Sequence, residues 1–216
     1  MRVLPVVLAL AAVPAAAEQS EDARLAERAH QDRTIVYFLQ PPETHAFDLY
    51  HDYTETRAGV DAYYNVVRKG STASNPRGRI LDTGEELRVE NVKGEALLKA
   101  KVDVGDELTP DADVVVIRFK PVAAGASVRL RISETYADPG RYRLQGDELV
   151  WDRSLGRPRN AVVLPAGWYL TECSVPAVVS EIADGRIRLD FENGRNDDIA
   201  VLIKARRRSG GATAAR

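Results

Sequence analysis

The sequence has little cysteine and no excess of basic charge. Its 216 residues contain one cysteine, Cys173, so an internal disulfide is excluded and the fold depends on its buried core. Lysine and arginine total 30 against 32 acidic residues, which gives a formal net charge of −2 at pH 7. A surface that tracks phosphates usually shows a basic excess, so nucleic acid is not expected as a partner.

The sequence also lacks the local motifs of the common enzyme classes. It contains no His-Glu-x-x-His zinc helix, no glycine-rich phosphate loop with its lysine, and no Gly-x-Ser-x-Gly nucleophile elbow. An Asp-Thr-Gly triplet at residues 82–84 occurs once, whereas aspartic proteases pair two such carboxylates, so turn chemistry explains it better. Cys173 is interpreted as a structural thiol, because no histidine base lies near it in sequence. No cofactor is predicted.

Residues 1–17 have the order of a secretory signal peptide. Arg2 precedes an apolar run over residues 3–13, and small residues end at Ala17. The run is shorter than the ~20 apolar residues that a membrane-spanning helix needs, and no later segment is apolar enough to span. We therefore expect cleavage after Ala17 and a periplasmic or secreted protein with no integral membrane segment. The next residue is Glu18 rather than cysteine, which excludes a bacterial lipid anchor.

The remaining chain divides by composition. Residues 18–33 are rich in helix formers but nearly without apolar side chains, and predict a short helix or a flexible lead-in. From residue 34 onward, β-branched and aromatic runs alternate with turn residues at about ten residues per strand, which predicts an all-β, antiparallel β-sandwich. A Pro/Gly/Ala-rich break at residues 120–127 separates a first portion, 34–120, from a second, 126–208. Two consecutive Ig-like modules and one large sandwich both fit this pattern, and residues 209–216 are predicted to be a disordered tail.

Several segments give specific strand predictions. TIVYFLQ, from residue 34, is apolar on both faces and predicts a buried strand, whereas SVRLRISETY puts Val128, Leu130 and Ile132 on one face, the core side. GEALLKAKVDVG, residues 94–105, is interpreted as another strand. RYRLQGDELVWD and AVVSEIADGRIRLDFEN predict hairpins that turn at Gln-Gly-Asp and Asp-Gly, and NDDIAVLIKARR predicts a closing strand.

The segment HAFDLYHDYTE, residues 45–55, combines histidines with acids. As a helix it would bring His45, Asp48, Asp52 and Glu55 to one face, an arrangement suited to a metal or to acid/base chemistry. As a strand, which its aromatic and threonine content favours, it separates the histidines from the acids. His45 and His51 then lie about 20 Å apart, too far to bind one metal ion from this strand alone. Asp48 and Asp52 share the other face, where paired carboxylates could hydrolyse a glycosidic bond.

A second candidate lies in GRPRNAVVLPAGWYL, residues 156–170. Exposed aromatic rings can stack on sugars and arginines can hold an anionic group bidentately, which makes Arg157, Arg159, Trp168 and Tyr169 candidate ligand-binding residues. The alternative is that Trp168 is an anchor of the core.

These patterns favour an exported β-sandwich protein without catalytic activity that acts as a binding or interaction module in the cell envelope. A protein or a cell-envelope glycan would be its partner. The alternative function is hydrolysis of envelope carbohydrate or peptide with Asp48 and Asp52 as the carboxylates. No metal site is predicted, and one at His45 and His51 would need ligands from elsewhere in the fold.

Overall fold

A computed structural model describes residues 30–104 and 107–208 of the chain. The predicted signal peptide, nearly all of the lead-in and the tail lie outside the described residues. The strands, in chain order, are β1 (Arg33–Leu39), β2 (Ala46–Glu55), β3 (Ala62–Val66), β4 (Thr72–Ile80), β5 (Arg88–Lys93), β6 (Asp113–Arg118), β7 (Val128–Ala137), β8 (Tyr142–Gln145), β9 (Glu148–Leu155), β10 (Arg159–Val163), β11 (Trp168–Cys173), β12 (Val178–Glu181), β13 (Ile187–Glu192) and β14 (Ile199–Arg207). A 3₁₀ turn covers Pro42–Thr44, and the helix α1 covers Gly94–Lys99.

The strands form three sheets. The large sheet has the order β12-β13-β10-β1-β2-β7-β4, the β9 sheet has the order β11-β14-β9-β8, and the β6 sheet has the order β3-β6-β5. Every pairing between described strands is antiparallel except that of β1 with β10, which is parallel. The prediction of an all-β sandwich is confirmed. The sequence pattern does not predict the one parallel pair, β1 with β10.

One face of the large sheet, called the inner face, packs against both smaller sheets. At one end Phe47 and Leu49 of β2 pack in a core with Trp151 and Ile203 of the β9 sheet. At the other end of the inner face, Tyr53 of β2 and Leu130 and Ile132 of β7 pack against the β6 sheet. They contact Val115 and Ile117 of β6. The two smaller sheets therefore lie side by side on one face of the large sheet.

The break at residues 120–127 lies between β6 and β7. β7 pairs with β2 and β4, and β10 pairs with β1, so strands from both sides of the break share the large sheet. The two portions thus build one joint sheet rather than two separate sandwiches.

The local strand predictions are confirmed for most segments. β8 and β9 form a hairpin that turns at Gly146, which has φ +64°, and β12 and β13 form the second predicted hairpin. β1 is buried on both faces, because Val36 packs on the outer face with Ala161 and Val163 of β10. The closing strand is β14, in the middle of the β9 sheet.

The strand prediction for residues 94–105 is wrong, since Gly94–Lys99 form α1 and no strand follows over residues 100–104. Alanine, leucine, lysine and glutamate are strong helix formers, and Glu95 pairs with Lys99 one turn later at 2.7 Å. Leu97 is buried against Val114 and Val116 of β6. Burial of Leu97 and the hydrogen bond from Gly94 N–H to the Ala112 carbonyl oxygen at 2.8 Å, rather than an alternating face, hold the helix on the fold.

Candidate functional site

The segment that carries the histidines and acids is a strand. β2 covers Ala46–Glu55, so the strand interpretation is confirmed, and His45 precedes it in a left-handed conformation with φ 56°. Asp48 and Asp52 lie on the outer face of the large sheet, whereas His51 lies on the inner face with Leu49 and Tyr53. The fold therefore separates the acids from the histidines.

Asp48 and Asp52 are held by partners of their own. Arg131 Nε donates to Asp52 Oδ1 at 2.6 Å, and the Arg131 guanidinium lies 4.1 Å from the centroid of the Tyr50 ring. Thr135 Oγ1 donates to Asp48 Oδ1 at 2.7 Å. Four residues along a strand separate the two positions by about 13 Å. The structure does not bring the two carboxylates together.

The two histidines contact different parts of the fold. His45 Nδ1 donates to the Tyr142 carbonyl oxygen at 2.9 Å, and Nδ1 of His51 lies 3.3 Å from the Tyr63 hydroxyl. Burial and the positive charge of Arg33 hold the pKa of His51 well below its usual range. Across residues 30–104 and 107–208, no three His, Cys, Asp or Glu side chains are arranged to hold a metal ion.

The four candidate ligand-binding residues of the second segment do not share a surface. Trp168 is 2% exposed and packs in the core, whereas Tyr169, next to it on β11, is 41% exposed. Tyr169 lines a shallow cavity of about 290 Å³ with Leu144, Asp147, Arg206 and Arg207. Arg159 donates from Nε to Thr34 Oγ1 at 3.0 Å on the outer face of the large sheet. Arg157, in the loop before β10, donates to Gln31 Oε1 at 3.4 Å.

A buried polar cluster, the polar seam, lies where β3 packs against the inner face of the large sheet. Asn65 Nδ2 donates to Glu134 Oε1 at 2.7 Å and to the Tyr136 hydroxyl at 3.3 Å. Glu134 is 5% exposed, and its Oε2 has no hydrogen-bond partner among the described residues. Burial raises the pKa of Glu134 to about 7.

The sheet is irregular beside the polar seam. The register between β4 and β7 shifts between Ser74 and Arg77, so Asn75 and Pro76 together oppose Glu134. Asn75 has φ 52°, a left-handed conformation that asparagine tolerates better than most residues. This β-bulge bends the edge strand next to the buried carboxyl group.

A polar cavity of about 520 Å³, the arginine cavity, lies where the two smaller sheets meet. Its lining residues come from β3, β9 and the loops that follow β3 or precede β6, β8 and β14: Val66, Arg68, Glu107, Arg141, Arg153, Ser154 and Asp198. Arg153 donates to Asp138 Oδ2 at 3.2 Å and lies 5.0 Å from the centroid of the Phe47 ring. Arg153 is thus fixed against the core while its neighbours in the cavity face solvent.

The open edge of the large sheet at β12 is the third feature. Val178 is 70% exposed and Val179 is 50% exposed, and both are among the exposed large hydrophobic residues of the described chain. β12 ends the large sheet, and no described strand pairs with its outer side. Apolar side chains and unpaired backbone groups therefore coincide at this edge.

Sequence reasoning missed these three features to different degrees. Glu134 follows Val128, Leu130 and Ile132 at the next alternate positions, so the pattern places a carboxyl group on the core side of that strand. Val178 and Val179 stand beside a predicted hairpin turn, which identifies a strand but not its place at an edge. The arginine cavity carries no local signal, because its residues come from distant segments.

Comparisons with known proteins show similarity to solved structures alone. No protein-family profile matches the chain, and no curated protein matches it. The M1 zinc metallopeptidase from Deinococcus radiodurans has 14% sequence identity and a TM-score of 0.45, over 80% of this chain and 41% of that one. An aminopeptidase N family protein from Idiomarina loihiensis has 9% identity and a TM-score of 0.44, over 79% of this chain and 29% of that one. The chain thus spans less than half the length of these proteins. Among the described residues, no helix combines the length and apolarity needed to cross a membrane.

Proposed function

We propose that this protein is an exported, non-catalytic binding module of the cell envelope that holds an extended polypeptide segment of a partner protein along β12. The observation that carries the proposal is the open edge itself, where Val178 and Val179 are exposed on a strand with a free outer side. Adding a strand to such an edge gives affinity through backbone hydrogen bonds and selectivity through alternate side chains.

The other sheet edges are protected against strand addition, and β12 is not. Natural β-proteins block their edges with charges, prolines or bulges. β4 has its bulge at Asn75 and Pro76, and β11 has a bulge between Leu170 and Glu172. Charged residues lie on β5 and β8, and β3 is half-buried. The first three residues of β12, Val178–Ser180, carry no charge, proline or bulge.

The register of the hairpin defines which backbone groups a partner strand would meet. The Ile182 N–H donates to the Arg186 carbonyl oxygen at 2.9 Å, next to the turn between β12 and β13. Hydrogen-bonding positions alternate along an antiparallel pair, so Val178 and Ser180 face β13. Val179 and Glu181 then direct their N–H and C=O groups outward. The exposed Glu181 carboxylate lies 3.6 Å from the Arg208 guanidinium. A partner segment with an apolar residue beside Val179 and a basic residue that shares the Glu181 carboxylate with Arg208 therefore complements this edge.

An aromatic platform for glycan is less well supported by the geometry. Trp168 is buried, and Arg159 lies on a different surface from Tyr169. A polypeptide partner requires the exposed edge alone, which all four residues of β12 provide.

Strand addition is tested with soluble peptides that alternate apolar and basic residues, each paired with a proline-interrupted version that cannot extend a sheet. Nuclear magnetic resonance titration should report binding of the uninterrupted peptides, with amide exchange slowed at Val179 and Glu181. Val179→Pro removes the outward N–H without touching the ladder to β13, and should abolish binding. Val179→Thr keeps the N–H and should weaken binding modestly.

Leu98→Thr is the matched control, because Leu98 is 44% exposed on α1, which packs on the β6 sheet and not on β12 or its neighbour β13. It should bind the peptides as the unmodified protein does. The proposal would be contradicted if Val179→Pro bound the peptides as well as the unmodified protein does. It would also be contradicted if the peptides slowed amide exchange at another sheet edge. Binding of envelope glycan fragments by a protein that binds none of the peptides would assign the module to glycan instead.

A further inference from the structure

The arginine cavity is built by the meeting of the two smaller sheets. Val66 ends β3 of the β6 sheet, and Arg68 follows it, whereas Arg153 and Ser154 lie on β9 of the β9 sheet. Arg141 precedes β8 on the same side. Three guanidinium groups from separate segments therefore line one space of about 520 Å³. A cavity of that volume is within the usual range for small-molecule sites.

The three arginines differ in how far the protein satisfies them. Arg153 is ion-paired with Asp138 at 3.2 Å, and its side chain is 19% exposed. The nearest carboxylate oxygen to Arg141 is on Asp152, at 3.9 Å, which is too long for a hydrogen bond. The Arg68 guanidinium has no ion pair or hydrogen bond with a residue that the structure describes. The guanidinium groups of Arg68 and Arg141 thus retain donors that no described residue occupies.

Two acids, Glu107 and Asp198, also line the cavity. Asp198 is engaged in an interaction within the protein, and Glu107 forms no ion pair with a described residue. Both acids limit the total negative charge that the cavity accepts. The Ser154 hydroxyl adds a donor on the same wall.

We propose that the arginine cavity binds a small anion through its carboxylate or phosphate oxygens, held by Arg68 and Arg141. Guanidinium groups match both kinds of oxygen in a planar, bidentate geometry, and such charge-assisted hydrogen bonds are the strong ones. Arg153, fixed by Asp138 and the Phe47 ring, adds positive potential without needing to move. The site is separate from β12 and does not depend on strand addition there.

The experiment titrates the protein with inorganic phosphate and, separately, with succinate, which distinguishes the two sources of oxygen. Calorimetry measures affinity, and the arginine Nε resonances report which side chains respond. We expect one of the anions to bind, and Arg68→Gln and Arg141→Gln each to weaken it by about tenfold or more, the worth of a lost charge-assisted hydrogen bond. Arg68→Gln should leave the fold unchanged, because Arg68 is exposed and its guanidinium holds no described partner.

Arg77→Gln is the matched control, since Arg77 is an exposed arginine of β4 that lies opposite Ser133 on the outer face of the large sheet. It should bind the anion as the unmodified protein does. Failure of both anions to bind, or equal weakening by Arg77→Gln, would overturn the proposal. Val179→Pro should retain full anion binding, so the two proposals fail independently.

Discussion

Glu134 places an ionisable carboxyl group in the buried interior, where its charged form is destabilised. Its carboxyl group accepts one hydrogen bond, from Asn65, while Oε2 is buried without a partner among the described residues. A buried carboxylate with half of its acceptors unsatisfied favours its neutral form. The neutral acid therefore fits the polar seam better than the anion does.

The contribution of Glu134 to the unfolding free energy should fall as the pH rises through the range in which Glu134 ionises, whereas that of His51, whose pKa lies well below its usual range, should rise. Burial raises the pKa of Glu134 from the ordinary 4.5 to about 7, so the folded protein holds this proton more tightly than the unfolded chain does. The contribution of the Glu134 proton to the unfolding free energy is fully present below pH 4.5 and is lost progressively until about pH 7. The pKa difference corresponds to about 3 kcal/mol of unfolding free energy.

Urea unfolding of the unmodified protein and of Glu134→Gln, at about pH 4.5 and about pH 8, measures this contribution. Glu134→Gln should shift the unmodified protein's difference between the two conditions by about 3 kcal/mol in favour of pH 8, because glutamine does not ionise and the opposite contribution of His51 is common to both proteins. Glu85→Gln, at an exposed position, is the control and should keep the difference of the unmodified protein. The same pH dependence in Glu134→Gln and in the unmodified protein would show that other groups cause it.

At the scale of elements, the close approach of β4 to the β6 sheet depends on a glycine. A Cβ atom on Gly78 would lie 2.5 Å from Ile117 Cγ2 and 3.4 Å from Leu87 Cβ. Ile117 is fully buried, and its branched side chain has little room to move. The absence of a side chain at Gly78 therefore sets the distance between the layers.

Gly78→Ala should lower the unfolding free energy by about 1–3 kcal/mol through overpacking. Gly194→Ala is the control, because a Cβ atom there meets nothing within 4 Å. That variant should stay within about 0.5 kcal/mol of the unmodified protein. Denaturant unfolding of the two variants checks the comparison, and equal stability would show that the layers can separate without cost.

Elements defined by short-range signals could be predicted from the sequence. The two hairpins follow from their glycine turns, and the face of β7 follows from strict alternation. α1 was missed because it has 6 residues, too few for a helical period to stand out against neighbouring strands. The parallel pairing of Thr34 with Arg159 depends on where the whole chain runs, which local pattern does not encode.

At the scale of the whole molecule, the packing of the three sheets produces the features that local sequence patterns do not reveal. The polar seam joins β3 to the large sheet, and the arginine cavity lies between β3 and β9. Their residues lie in segments far apart in the chain, so only the assembled layers place Asn65 beside Glu134 or Arg68 beside Arg141. Likewise, β12 can be identified as an edge strand only once the strand order is known.

Export remains the proposal that concerns the molecule as a whole, and residues 1–17 carry it. Small residues at Ala15 and Ala17 suit a signal-peptidase site, with Arg2 and the apolar run before them. Expressed from Met1 in a bacterium, the chain should accumulate outside the cytoplasm with Glu18 as its first residue. Cell fractionation and the mass of the intact protein measure this.

The unmodified chain is compared with a double variant that carries both Ala15→Leu and Ala17→Leu. The two substitutions place large side chains at the cleavage site and leave the apolar run intact. This variant should keep its first residues and stay with the membrane fraction, because the run still inserts but is not cut. A wild-type chain that retains Met1 in the cytoplasm would contradict export. In that case a partner for β12 would have to be sought among cytoplasmic proteins, and the edge itself would remain available for strand addition.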